Sequence, residues 1–509
     1  MASKLPHNFI QGGPAEPLSK DLLEGKVQLE RKYGYTLEGK QKRILLNAFD
    51  MNGVGHISIG QWQNPEDKSS QKNRLPYWIE LAKLLERGKF NALFLELTMI
   101  QPTTTARTTF AREAMPQPSG RHPNGRYTIH SVISAMAAVT DTLAFGVTAS
   151  TTFEPPFSLA KRFSTLDHLT NGRIAWNIVT SWSDTAARAH GLDQLPEHDT
   201  RYEMAEEYLS LVYKYGSWAD GAVVKDPSTH TYTDPTKVRK IEHQGKFYKS
   251  SSAHQVDPSP QRTPVLFQAG MSPAGSSFAA KHAECIFCGG ASPALVAKSI
   301  EQTRQKAREN SRNPYDLKFF VQFTPILGAT DQEAQEKYER YRQYALGEGG
   351  LALLGSTSGI DVSKFPWDEE FPTDPEHPLM KELTVKQRNR LLARPAGFDR
   401  WTPRILAEYQ SLGGSGPYKI GSGATVADEM ERWITEADVD GFNIGHIVVP
   451  GAWEDVIEYL VPELEKRGWL GKDYPVPQGT AKENLYGSPG DSHVRKTHPG
   501  YQYKFKEDI

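Results

Sequence analysis

Pro156-Phe-Ser-Leu-Ala-Lys-Arg-Phe-Ser-Thr-Leu-Asp-His-Leu169, then Thr170-Asn-Gly-Arg173, then Ile174-Ala-Trp-Asn-Ile-Val179 read as a helix, a turn and a strand in immediate succession. Pro156 suits a first helical turn, where its missing N–H costs little. The run 174–179 is apolar on both faces apart from Asn177, as a strand covered on both sides must be. The same unit recurs in both directions along the chain. Upstream, a strand is predicted at 143–149 after a helix at 131–140. Before these come a strand at 92–95 and an amphipathic helix at 77–86, with Trp78, Leu81, Leu84 and Leu85 on one side. An apolar run at 43–49 opens the series. Downstream, Ala205, Leu209 and Val212 share one face of a helix at 202–213. Strands then follow at 265–268, 284–288, 318–326 and 441–445, alternating with helices at 273–282, 292–309, 330–346, 425–436 and 452–466.

Eight strands alternating with helices predict an α/β chain whose parallel sheet closes as a (β/α)8 TIM-type barrel. A doubly wound sheet would want Gly-x-Gly-x-x-Gly after its first strand, and none stands there; Gly421-Ser-Gly423 is a lone pair. The barrel is placed at 43–470, with long insertions at about 98–127, 220–261 and 350–417. Residues 1–42 read as an N-terminal arm and 471–509 as a C-terminal tail.

The 509 residues carry a formal charge of −2, which gives no general pull toward nucleic acid. No apolar run is long enough to span a bilayer. Met1-Ala-Ser-Lys-Leu-Pro-His7 lacks the apolar core of a signal peptide, and Lys506-Glu-Asp-Ile509 forms no sorting or lipidation motif. A cytoplasmic protein without nucleic-acid or membrane partners is the expectation. The two cysteines form Cys285-x-x-Cys288, which reads either as a redox dithiol or as part of a strand. Residues three apart on a strand point to opposite faces, so the strand reading keeps the thiols apart. No metal site is expected, because ligand residues at the usual spacings are absent, and no Gly-x-Ser-x-Gly elbow marks a hydrolase.

Several runs, in order and at barrel spacing, resemble one family. They are Leu85-Glu-Arg-Gly-Lys-Phe90, Phe163-Ser-Thr-Leu-Asp-His-Leu-Thr-Asn-Gly-Arg173, Trp176-Asn-Ile-Val-Thr-Ser181, Glu197-His-Asp-Thr-Arg-Tyr202, Gln268-Ala-Gly-Met-Ser-Pro-Ala-Gly275, and Ala427-Asp-Glu-Met430 leading to Asp440-Gly-Phe-Asn443. Over roughly 43–97 and 131–470 the chain resembles the bacterial-luciferase-like flavin-dependent monooxygenases, in the subfamily of nitrilotriacetate and dibenzothiophene-sulfone monooxygenases. The resemblance implies reduced FMN delivered by a separate NAD(P)H:flavin reductase, O2 as co-substrate, a small organic substrate oxidised at a C–N or C–S bond, and a homo-oligomer. A deazaflavin-dependent reductase on the same barrel, or a non-catalytic flavin-binding paralogue, is the alternative.

The candidate site follows from these runs. Met271 and Ser272 stand where a strand enters a helix, so backbone amides and the Ser272 hydroxyl can face one anion; an ordinary N-cap would look the same. His198 and Tyr202, four apart, share a helical face. The family's matching pair contacts the flavin phosphate and ribityl chain, although a packed tyrosine is the plain alternative. Thr148 and Ser150 point to one side of their strand and could offer hydroxyls to the flavin ring, or reflect strand propensity alone. Asn177 needs a partner inside an apolar strand. His56, past the first strand, is the histidine expected near the reacting oxygen, unless it is a solvated loop residue. One departure stands out. Related chains carry Ala-Asp at the end of the second strand, with the Asp on the flavin; here the chain reads Leu95-Glu-Leu97, and resemblance is lost over 98–127. A shifted reading frame through codons GAG-CTG-ACN-ATG would restore the dipeptide, and the chain as written would then bind flavin poorly.

Overall fold

The computed structural model describes residues 33–96, 128, 130–182, 184–216, 220–290, 292–394, 399–414 and 416–503. Leu97 and the insertion expected at 98–127 lie outside the described residues. Eight strands bond in a closed ring: β1 (Leu45–Met51), β2 (Ala92–Glu96), β3 (Ala144–Ser150), β4 (Ile174–Val179), β5 (Val265–Gln268), β6 (Cys285–Cys288), β7 (Lys318–Gly328) and β8 (Gly441–Ile444). Every neighbouring pair is parallel, and β8 returns to β1 from Leu45↔Gly441 to Ala48↔Ile444. The helices α1 (Leu75–Arg87), α2 (His130–Ala137), α3 (Pro156–Leu169), α4 (His198–Tyr215), α5 (Pro273–His282), α6 (Pro293–Glu309), α7 (Asp331–Arg342) and α8 (Gly423–Ala437) lie along the chain between strands.

The strands alternate as the pleat demands. Leu46, Ala48, Leu93, Leu95, Trp176 and Ile178 pack among helix residues, whereas Leu45, Phe94, Ala144, Ala175, Phe267 and Phe320 form a separate cluster filling the interior. Cys285 belongs to the interior cluster and Cys288 to the helix-facing one, both as free, buried thiols. Burial pushes Cys288 up to about 12 and Cys285 well above its ordinary range. The dithiol reading therefore fails: the side chains point apart and neither ionises at neutral pH. Part of the family-like run 163–173 is also structural. Asn171 and Gly172 turn the chain through positive φ, and the Arg173 guanidinium donates to the carbonyls of Ala137, Leu143 and Thr170 beneath the barrel.

Three features differ from the sequence expectation. β7 runs past the ring, and Thr324–Gly328 pairs in parallel with a ninth strand, Tyr418–Ser422, whose mixed, half-buried residues carry no clear alternation. The stretch after α7, read as loop-like, holds helices at Gly347–Ser358, Pro378–Lys381, Val385–Leu391 and Pro403–Ser411. They surround their own core of Leu354, Phe365, Phe371, Met380, Trp401 and Leu406, residues too scattered among prolines and charges to show a period. The residues set apart as a tail close the floor of the barrel. Ala481 joins the interior cluster, its N–H donating to Gly172 O at 2.8 Å, and Lys482 pairs with Glu284.

Burial pushes the His254 imidazole down to about 4, helped by Lys161, and burial beside Arg162 does the same for His130. In the unfolded chain these rings take a proton below about pH 6.5; in the folded protein they resist it until about 4. The unfolded state then binds more protons, so stability should fall as pH drops from about 6.5 toward 4. Denaturant midpoints at pH 7 and pH 5 measure that fall, and His254→Phe should lessen it. An equal fall in the variant would show that His254 is not one of the titrating groups.

Candidate active site at the barrel mouth

In such barrels the site lies at the C-terminal ends of the strands, where loops of adjacent units meet. On β3 and β4, Thr148 and Asn177 are register partners at inward positions, both buried. Asn177 Nδ2 donates to Thr148 Oγ1 at 2.9 Å, and that hydroxyl donates to Leu95 O at 3.1 Å. The Thr148 proton is therefore committed within the wall, whereas Asn177 Oδ1 is buried with no partner among the described residues. A buried amide oxygen left so is costly unless something supplies a donor. Ser150, also buried, pairs with Ser181 Oγ at 2.9 Å and accepts from Thr152 N at 3.1 Å.

Next to this wall, α4 and α5 bring their first turns together. The α4 helix begins at His198, which leaves that ring half exposed with Nδ1 2.6 Å from Asp199 Oδ1. One turn on, Tyr202 packs its ring against His198 at 5.2 Å and against Phe278 of α5 at 5.7 Å. Its hydroxyl reaches the turn 268–275. A Cβ on Gly270 would lie 2.5 Å from that oxygen, and one on Gly275 would lie 2.6 Å from it. Only glycine at both positions lets the turn and the tyrosine approach this closely. Ser272 caps α5 by accepting from Gly275 N at 3.0 Å, so the N-cap reading is realised, and Met271 stands exposed on the rim. His198, Tyr202 and Ser272 are thus assembled at one edge. Thr148, Ser150 and Asn177 line the adjacent strands.

His56 lies on the loop after β1, and in an eight-membered ring β1 stands opposite β5. It is no solvated bystander, being 2% exposed, with its ring 4.6 Å from Phe49. Its φ of 35° is the left-handed region, a strain of order 1 kcal/mol that the surroundings must hold. They do so through Gly413 N donating to Ile57 O at 3.1 Å and Leu346 N to Ile59 O at 3.0 Å, both from segments following β7. Gly60, at φ 105°, allows this approach, since a Cβ there would lie 2.2 Å from Tyr344 O.

Beside His56 is a cluster that sequence reasoning missed. Asp50, fully buried on β1, accepts through Oδ1 from Lys72 Nζ at 2.5 Å, Met51 N at 2.7 Å and His446 Nε2 at 2.9 Å. Burial works against its charge, but Lys72 and His446 outweigh that and hold the carboxyl well below its usual range. Asp50, His56 and His446 place ligand atoms within 4.8 Å of one another, so they could hold a divalent cation. Lys72 already supplies the positive charge the carboxylate needs. The signal was present in one respect: His446 follows the end of the last strand, the position that reads as functional in this fold. Its partners lie nearly four hundred residues away in sequence.

Residues 57–440 match the model of the luciferase-like monooxygenase family. The chain belongs to the luciferase-like monooxygenases. The dimethyl-sulfide monooxygenase of Hyphomicrobium sulfonivorans is 42% identical over 91% of this chain and 94% of that protein. The long-chain alkane monooxygenase of Geobacillus thermodenitrificans is 41% identical over 91% of this chain and 98% of its own length. The crystal structure of DmoA from Hyphomicrobium sulfonivorans superposes with a TM-score of 0.83 over 91% of this chain and 96% of that chain, at 42% identity. As a luciferase-like monooxygenase the protein is a flavin-dependent oxidoreductase. The site suits such a group: the turn between Gly270 and Gly275, the first turns of two helices and the unpartnered Asn177 oxygen match an anionic tail and a polar ring edge. Among the described residues no helix is long and apolar enough to cross a membrane.

Proposed function

We propose that this luciferase-like monooxygenase is the oxygenase of a two-component system. It would take reduced FMN from a separate NAD(P)H:flavin reductase in the cytoplasm, together with O2. The close approach of the Tyr202 hydroxyl to the glycine turn carries this reading, because it sets a neutral donor beside the N-terminus of α5, where an anionic phosphate is favoured. His198, Tyr202, Ser272 and the backbone about Met271 would hold the phosphate, and Asn177, with Thr148 and Ser150 behind it, would meet the ring edge. Bound reduced flavin supplies the electrons that put one oxygen atom of O2 into the substrate and the other into water. The chain's own work is to bind, to orient and to keep water out. His56, across the ring from the phosphate edge, would exchange a proton with the reacting oxygen.

The inner wall favours an uncharged substrate. Phe49 and Phe287 are partly buried inward residues packed on the interior cluster beside Thr148 and Asn177, and Phe287 lies 4.5 Å from Phe94. No cation among them would pair a polycarboxylate, so a small C–S compound such as a thioether fits better than a polyanionic amine. The test is O2 uptake with a flavin reductase present, following product from a dialkyl sulfide, an alkane and nitrilotriacetate. Oxygenated sulfide or alkane, with nitrilotriacetate untouched, is expected. Tight binding of reduced FMN without coupled O2 consumption would overturn it in favour of a reductase or a non-catalytic flavin binder.

A further inference from the structure

We propose that His446 is a positioning residue for His56, fixed as its Nε2–H tautomer by Asp50. The inference rests on reading His56 as the proton-exchanging histidine of the mouth. Asp50 Oδ1 is an acceptor only, its charge matched by Lys72, so His446 Nε2, 2.9 Å away, must donate to it. In a neutral imidazole the other nitrogen is then an acceptor. His446 Nδ1 is buried, and among the described residues no group partners it. The His446 ring stands 5.1 Å from the His56 ring, the planes 36° apart, and is held from behind by the edge-on Trp453 ring at 5.2 Å and 67°. The backbone is tied as well, since Ser58 Oγ, two residues beyond His56, donates to His446 O at 3.0 Å. One oriented, acceptor-bearing ring is thus set against the strained histidine, while Asp50 and Lys72 lock its orientation from β1 and the segment before α1.

This arrangement explains why an ion pair is buried at a barrel mouth, where it makes no direct contact with the phosphate edge. A carboxylate paired only with Lys72 would need no histidine. The third donor has the effect of choosing which nitrogen of His446 carries the proton. Losing the backing of an oriented group near the chemistry commonly costs turnover rather than binding.

The experiment uses the full-length protein with 15N-labelled histidine. Long-range 1H–15N correlation spectra of the flavin-free form report each ring's tautomer, and His446→Gln assigns the His446 signals. His446 should appear as Nε2–H, Asp50→Asn should release that preference, and His446→Phe should move the His56 resonances. In the same variants, His446→Phe should lower kcat about tenfold or more with flavin affinity unchanged. His446→Gln, whose amide can donate to Asp50 and still accept, should recover much of that loss. Lys72 and Met51 N continue to pair Asp50 in either variant, so the fold should survive. An Nδ1–H tautomer, His56 signals indifferent to His446→Phe, or equal kcat in the Phe and Gln variants would each overturn the proposal. The spectral arm needs neither flavin nor turnover, so it decides the point even if the proposed reaction is wrong.

Discussion

Replacing Lys482 by methionine should destabilise the protein by about 3–5 kcal/mol, since breaking a buried ion pair from one side leaves an uncompensated charge. The pair seals the floor of the barrel. Lys482 is fully buried and donates to Pro264 O at 3.2 Å as well as to Glu284. Burial pushes the lysine pKa down, and Glu284 holds it up. Glu284 also accepts from Leu266 N at 3.1 Å and Tyr486 OH at 3.3 Å, so the carboxylate cannot swing out to water when its cation goes. Stability of native domains is commonly only about 5–15 kcal/mol, and the denaturant midpoint should drop visibly. Adding Glu284→Gln should recover most of the loss, because a neutral pair in the same space carries no stranded charge. A loss under about 1 kcal/mol in the single variant would mean the floor is held by the apolar contacts of Ala481 instead. Flavin affinity of the surviving native protein should be unchanged, the mouth lying at the other end of the strands.

Gly275→Ala should weaken reduced FMN binding by about a hundredfold or more while leaving riboflavin binding nearly as it was. The added methyl group would meet the Tyr202 oxygen at 2.6 Å and the Gly270 carbonyl carbon and oxygen at 2.9 Å. The turn or the tyrosine must then retreat. A hydrogen bond to a charged group is worth roughly 1.5–3 kcal/mol, so losing two costs at least two powers of ten. Alanine is a better helix former than glycine, so the α5 backbone itself gains slightly. Riboflavin has no phosphate and serves as the internal control. Anaerobic titrations of both flavins measure the ratio, and Tyr202→Phe should give about a tenfold loss for FMN alone. Equal losses for the two flavins, or none for FMN, would remove the turn 268–275 from the phosphate site.

The barrel is legible from local pattern alone. Eight short apolar runs, including 43–49, 92–95 and 174–179, alternate with amphipathic helices, and only a parallel sheet covered by helices buries both faces of such strands. Local pattern also separated Cys285 from Cys288, because alternation along a strand is local geometry. It brought His198 near Tyr202, because four residues make a helical turn. What it could not settle depends on contacts between distant segments. The Asp50, Lys72 and His446 cluster joins the first and last strands, and no local period records that closure. The half-buried strand Tyr418–Ser422 is a strand only because β7 overruns the ring. The segment 474–486 has ordinary tail composition, yet the barrel must be closed below, and Ala481 and Lys482 do it. The Thr148 hydroxyl looked available from its position on β3, but the tertiary structure spends its proton on Leu95 O and leaves the open polar atom on Asn177. Spacing along a chain fixes which way a side chain points. Which partner it meets there is decided by the chain's return from elsewhere, and burial then sets the cost of a wrong answer.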